Sequence, residues 1–166
     1  MKLCHLLAAV LALCAPAFAR AADEPLKKGE KIVFLGDSIT QGWEGQKPWR
    51  EHFGAFKPVN LGIGGDQTGH VLWRITDGHE LDHLSPKAAV LMIGTNNISS
   101  YTARQIAGGI KAIVEELRKQ RPEMKILVLG IFPRAPKAMD KVRDKIKPTT
   151  GIIAKLDDSS NVVHQD

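Results

Sequence analysis

The chain has 166 residues, 43% of them hydrophobic and 25% charged, with a formal charge of +5. That balance describes one ordinary folded domain and excludes collagen-like, low-complexity and disordered classes. The basic residues Lys111, Lys119, Arg121, Lys137, Lys141, Arg143 and Lys145 fall mostly at helical spacing with acids between them, a solvated helix face rather than a nucleic-acid patch.

Met1 and Lys2 open the chain, Leu3 to Ala19 is almost wholly apolar, and small residues follow at Ala17, Ala19, Ala21 and Ala22. This pattern predicts a signal peptide over residues 1–21, cleaved between Ala19 and Ala22, and hence a secreted or periplasmic location. The run is too short and alanine-rich for a stable membrane span. A lipoprotein anchor at Cys14 is disfavoured by Leu13, where a small residue is wanted. Both cysteines, Cys4 and Cys14, lie in this segment, so the chain from residue 22 onward has no disulfide and depends on packing. Without Lys2 and Arg20 the formal charge falls to +3.

Four apolar runs follow: Ile32 to Leu35, Val59 to Leu61, Ala88 to Ile93 and Ile126 to Leu129. Each reads as a strand buried on both faces. Between them, residues 48–56 and 68–75 suit helices, the second turning Val71, Leu72 and Ile75 inward. From Thr102 to Gln120 an amphipathic helix is clear, with Ile106, Ile110, Ile113, Val114 and Leu117 on one stripe. Residues 140–156 look helical but are interrupted by Pro148 and Gly151, and residues 161–164 read as the start of a fifth strand. Alternating strands and helices predict an α/β fold, a three-layer α/β/α sandwich around a mainly parallel, flavodoxin-like sheet. There is no internal repeat and no linker, so residues 22–166 form one domain.

Open α/β sheets bind ligands at the carboxyl ends of their strands, and the residues there are polar and glycine-rich. They are Gly36-Asp37-Ser38-Ile39-Thr40 after the first run, Gly62-Ile63-Gly64-Gly65-Asp66 after the second and Gly94-Thr95-Asn96-Asn97 after the third. A serine on a sharp turn between strand and helix exposes its hydroxyl close to backbone N–H groups, the setting of a nucleophile. A glycine lets another N–H approach, and an asparagine adds a side-chain donor. Asp37 reads as the cap of the following helix. The second loop lacks the Gly-x-Gly-x-x-Gly spacing of a dinucleotide site, and Asp66 would repel phosphate. Trp43 and Trp49 read as walls of the cleft, Trp73 and Arg74 as surface or packing residues.

In these blocks the chain resembles the SGNH, or GDSL-type, hydrolases, whose pattern is a Gly-Asp-Ser turn, a glycine, a Gly-x-Asn loop and a late Asp-x-x-His. Residues 60–66, 70–74 and 94–97 resemble most the platelet-activating-factor acetylhydrolase catalytic-subunit branch. The resemblance implies a serine esterase acting on small esters, such as acetylated sugars or lipids, with no metal or cofactor. Ser38 would then be the nucleophile and one oxyanion donor, Gly65 a second donor through its N–H and Asn96 a third through its amide. It sets no oligomeric state.

No Asp-x-x-His spacing occurs in the sequence. Of the five histidines after the leader, His52, His79 and His83 are poorly placed as substitutes, and His70 and His164 are better read as structural. The expectation is therefore a C-terminally truncated esterase domain, nearly inactive as it stands. A non-catalytic module binding carbohydrate or acyl ligands, or a fragment without function, are the competing readings.

Overall fold

The computed structural model describes residues 31–132 and 144–166. The expected leader over residues 1–21 lies outside the described residues, as do the start of the 140–156 helix and Lys137, Lys141 and Arg143. Among the described residues five strands form the sheet: Ile32–Gly36 (β1), Val59–Gly62 (β2), Ala88–Met92 (β3), Lys125–Leu129 (β4) and Val162–Gln165 (β5). Every residue of β1 and β3 is buried, which is why both appear in sequence as unbroken apolar runs.

All neighbouring pairs are parallel, in the order β2-β1-β3-β4-β5. Gly36 stands level with Gly62 on one side and Met92 on the other, so β1, β2 and β3 reach the same rim together. The chain leaves β1 for one side of the sheet and then crosses back to β3 on the other. The connections after β1 and β3 therefore diverge and open a crevice at that rim.

The helices are Ser38–Gln41 (α1), Lys47–Phe53 (α2), Thr68–Ile75 (α3), Ala103–Gln120 (α4) and Ile146–Ile153 (α5). On one face α3, α4 and α5 bury Val71, Ile75, Ile106, Ile110, Ile113, Leu117 and Ile153 against Val33, Leu35, Leu91, Ile126 and Val128. On the other, Trp43 and, from α2, Trp49 and Phe53 pack on Ile32, Phe34, Val90 and Met92. The three-layer sandwich is thus as the sequence predicts. No helix among the described residues is long and apolar enough to cross a membrane.

Helix α4 begins in a capping box: Thr102 Oγ1 accepts from Gln105 N (3.3 Å) and Gln105 Oε1 accepts from Thr102 N (2.9 Å). Two expectations need correction. Helix α5 runs through Pro148 and Gly151 without a break. Pro148 is its third residue, in the first turn, where a backbone N–H has no intrahelical acceptor to lose. Trp43 and Trp49 do not wall the cleft; at 2% and 5% exposure they are core. Phe34 collects them, with ring centroids at 6.2 Å and 4.5 Å, and Phe53 at 4.8 Å.

Candidate active site

Ser38 is the exposed first residue of the four-residue helix α1. Asp37, buried, caps that helix as expected: its Oδ1 accepts from Ile39 N at 2.9 Å. The turn needs glycine at 36, because a Cβ there would stand 2.1 Å from Thr40 Oγ1 and 2.5 Å from the Met92 carbonyl oxygen.

The loop after β2 is fastened to this turn. Ile63 N donates to Gly36 O (3.2 Å), Gly64 N donates to Gln41 Oε1 (3.0 Å), and a Cβ on Gly64 would meet Ser38 Cβ at 3.8 Å. Asn60 clamps from below, donating to Thr40 O (2.8 Å) and accepting from Gly62 N (2.9 Å). Gly65 is exposed at φ +86°, a left-handed conformation that glycine adopts without strain, and Asp66 N closes the turn onto Ile63 O at 3.2 Å.

The loop after β3 is stitched to the second loop in turn. Asn96 Nδ2 donates to the Asp66 carbonyl oxygen (2.9 Å), Gln67 Nε2 donates to Asn96 O (3.2 Å), and Thr68 N donates to Asn97 Oδ1 (3.1 Å). Ser38, Gly65 and Asn96 therefore lie on three consecutive loops bonded into one rim. The Asn96 amide plane is set by Asp66, a constraint invisible in the spacing.

Behind the second loop lies a buried ionic cluster that corrects the reading of Arg74 as a surface or packing residue. Arg74 is only 9% exposed. Its Nη2 donates to Asp66 Oδ2 (2.8 Å) and Leu61 O (3.0 Å), and its Nη1 to both Glu80 oxygens (2.5 and 2.6 Å). Trp73, by contrast, is a surface residue at 59% exposure. Asn60, Gln41 and Arg74 were all missed as supports of the site. Asn60 alone left a signal, a polar residue inside a strand run.

Among the described residues no hydrogen bond joins Ser38 to either candidate substitute base. His70 Nδ1 accepts from Gln67 N at 3.2 Å and so serves the start of α3. His164 is level with Val128, Leu91 and Leu35 but stands on β5, three strands from β1 and so roughly 14 Å away at the usual strand spacing. Burial, against an opposing pull from Asp166 and Asp157, holds its imidazole below the ordinary value of 6.5.

The parallel five-strand sheet with helices on both faces is the fold of SGNH-type hydrolases. The chain belongs to the GDSL-like lipase/acylhydrolase family, whose model matches residues 34–166. It is similar to the platelet-activating factor acetylhydrolase IB subunit alpha1 of Rattus norvegicus, 49% identical over 107 residues, 64% of this chain and 45% of the relative. It is 40% identical over 148 residues to the alpha2 subunit of Homo sapiens, covering 84% of this chain and 64% of the relative. The chain thus spans about half to two-thirds of the length of these curated relatives. A solved GDSL-like lipase from Bacteroides thetaiotaomicron shares the fold, with a TM-score of 0.62 at 24% identity, over 95% of this chain and 78% of that one.

These relatives overturn one expectation. The likeness to the acetylhydrolase subunits contradicts the secreted or periplasmic location expected from the amino-terminal apolar run. Apolar composition over some twenty residues is a pattern many segments share, and it does not by itself fix a compartment.

Proposed function

We propose that the protein is a serine esterase that hydrolyses short-chain carboxylic esters, such as acetyl esters of sugars or lipids, through an acyl-enzyme at Ser38. The observation carrying this reading is the exposed serine at the start of α1 with two loops hydrogen-bonded around it. Ser38 Oγ attacks the ester carbonyl, and the developing oxyanion takes N–H donors from Ser38, Gly65 and the Asn96 amide. Collapse expels the alcohol, and water then releases the acid from the acyl-serine. The acetyl chemistry printed in the names of the acetylhydrolase relatives supports a short acyl group.

The hydroxyl proton needs a base, and the family pattern puts it in an Asp-x-x-His block that the 166 residues do not contain. Donors and binding alone leave roughly a thousand-fold acceleration over water. Added imidazole supplies the base from solution. The test follows nitrophenolate release from p-nitrophenyl acetate by the chain, above the rate with imidazole alone, and an acetyl adduct on the peptide carrying Ser38. The protein-dependent rate should rise with imidazole and vanish in Ser38→Ala. An equal rate and adduct yield in Ser38→Ala would refute the reading, and substrate binding without turnover at any imidazole concentration returns the non-catalytic module.

A further inference from the structure

We propose that Arg74 is a positioning residue whose guanidinium holds the second loop and, through it, the Asn96 amide in the geometry that receives an oxyanion. The inference rests on the esterase reading above and extends it to a residue on α3 that touches no substrate.

The second loop has two ends, secured in different ways. Its near end is tied to α1 through Gly64 N and Gln41 Oε1. Its far end is Asp66, whose carboxylate is held by Arg74 Nη2 while the same nitrogen donates to Leu61 O at the end of β2. One guanidinium nitrogen thus ties the far end of the loop back to the strand it came from. The Gly65 N–H lies between these anchors, and at φ +86° its peptide has no side chain to steady it. Asp66 also passes the constraint on, since its carbonyl oxygen accepts from Asn96 Nδ2 at 2.9 Å. Arg74 in turn is fixed by the Glu80 carboxylate on Nη1, at 2.5 and 2.6 Å.

The chemistry requires arginine. Four acceptor contacts are served from two nitrogens of one planar fork, which a lysine ammonium cannot span from a single point. The cluster is largely buried, with the Arg74 and Asp66 side chains 11% exposed and Glu80 22%, so exchange with water weakens its bonds less than at the surface. A misplaced oxyanion donor weakens the transition state and leaves substrate binding alone, because the donor is aimed at charge that exists only during reaction. Removing one such donor outright lowers turnover about 10²–10³-fold, so loosening its support should fall below that.

The experiment compares Arg74→Lys, Glu80→Gln, Ser38→Ala and, as a control on an exposed ion pair with Asp158, Arg118→Lys. Each folded variant is assayed for kcat and KM with p-nitrophenyl acetate plus imidazole, and for inhibition by phenylboronic acid, whose tetrahedral serine adduct reads the oxyanion donors without turnover. Arg74→Lys should lower kcat about 10- to 100-fold and weaken boronate inhibition in parallel, with KM within twofold. Glu80→Gln, which frees one side of the fork, should shift both about 3- to 10-fold, and Arg118→Lys should shift neither. Arg74→Lys with kcat and boronate inhibition both unchanged overturns the inference. If Arg74→Lys does not fold, Glu80→Gln decides on the same terms. Should Ser38→Ala retain full activity, the esterase reading fails instead, and the two failures are told apart.

Discussion

Replacing Gly36 with alanine tests whether packing at the end of β1 sets the turn that carries Ser38. The new Cβ would stand 2.1 Å from Thr40 Oγ1 and 2.5 Å from the Met92 carbonyl oxygen. Thr40 is buried, and Met92 belongs to β3, held between β1 and β4, so neither neighbour has room to retreat. A close carbon–oxygen approach needs about 3.3 Å, so the backbones must part by roughly 0.8 Å. Overpacking of this kind costs about 1–3 kcal/mol, and two simultaneous clashes put this case near 3. For a chain of this size that lowers Tm by about 6–12 °C. Gly45 provides the control, with nothing within 4 Å of an added Cβ. Gly45→Ala should be neutral or stabilise by up to about 1 kcal/mol. Urea unfolding and thermal melts of both variants give the comparison. A Gly36→Ala protein within about 0.5 kcal/mol of Gly45→Ala, the ordinary scatter of harmless substitutions, would refute the reasoning.

Three further outcomes are expected. Asp37→Ala should lose about 1 kcal/mol with its cap on Ile39 N, while Asp37→Asn, which keeps an acceptor, should lose less; equal losses in urea would rule out capping as the cause. His164 is held below 6.5 chiefly by burial, so the unfolded chain takes up a proton that the folded chain resists. Stability should therefore fall as pH drops through 6.5 and level off below the folded value, and His164→Gln should flatten that slope in melts from pH 8 to pH 5, on the order of the range over which a histidine titrates. Desolvation pushes the Asp158 carboxyl up, but N–H donors from Val162, Ser160 and Asn161 together with Arg118 outweigh it and hold it below 3.8. Its contribution is present above 3.8 and lost as pH falls through the folded value, so Asp158→Ala, discounted for solvent screening of an exposed carboxylate, should cost about 1 kcal/mol or less at neutral pH and progressively less in acid. A deficit independent of pH would contradict this.

The sheet was readable because strands buried on both faces leave unbroken apolar runs, as Ile32 to Leu35 and Ala88 to Met92 do. The rim was readable because glycine, serine and asparagine at strand ends break those runs at matching levels. Arg74 was not, because its carboxylate partners lie eight residues before it and six after it, one in a loop and one in a turn. No periodicity joins such a trio; only the fold does. Trp43 and Trp49 were misplaced for a related reason, since following the Ser38 turn in sequence says nothing about which face of the sheet the chain next covers. The α5 boundary failed on a positional subtlety, a proline being harmless in a first turn and disruptive a turn later.

The burial of those two tryptophans has a practical side. The chain has three indoles, and the third, Trp73, is wet while Trp43 and Trp49 are shielded around Phe34. Fluorescence should accordingly divide into a blue, quencher-resistant pair and a red component that iodide extinguishes first. Phe34 is two residues from Gly36, so the shielded pair reports on the strand that delivers Ser38, and the wet one on the helix that carries Arg74. Disturbance on either side of the rim is thereby given its own colour, with no label added.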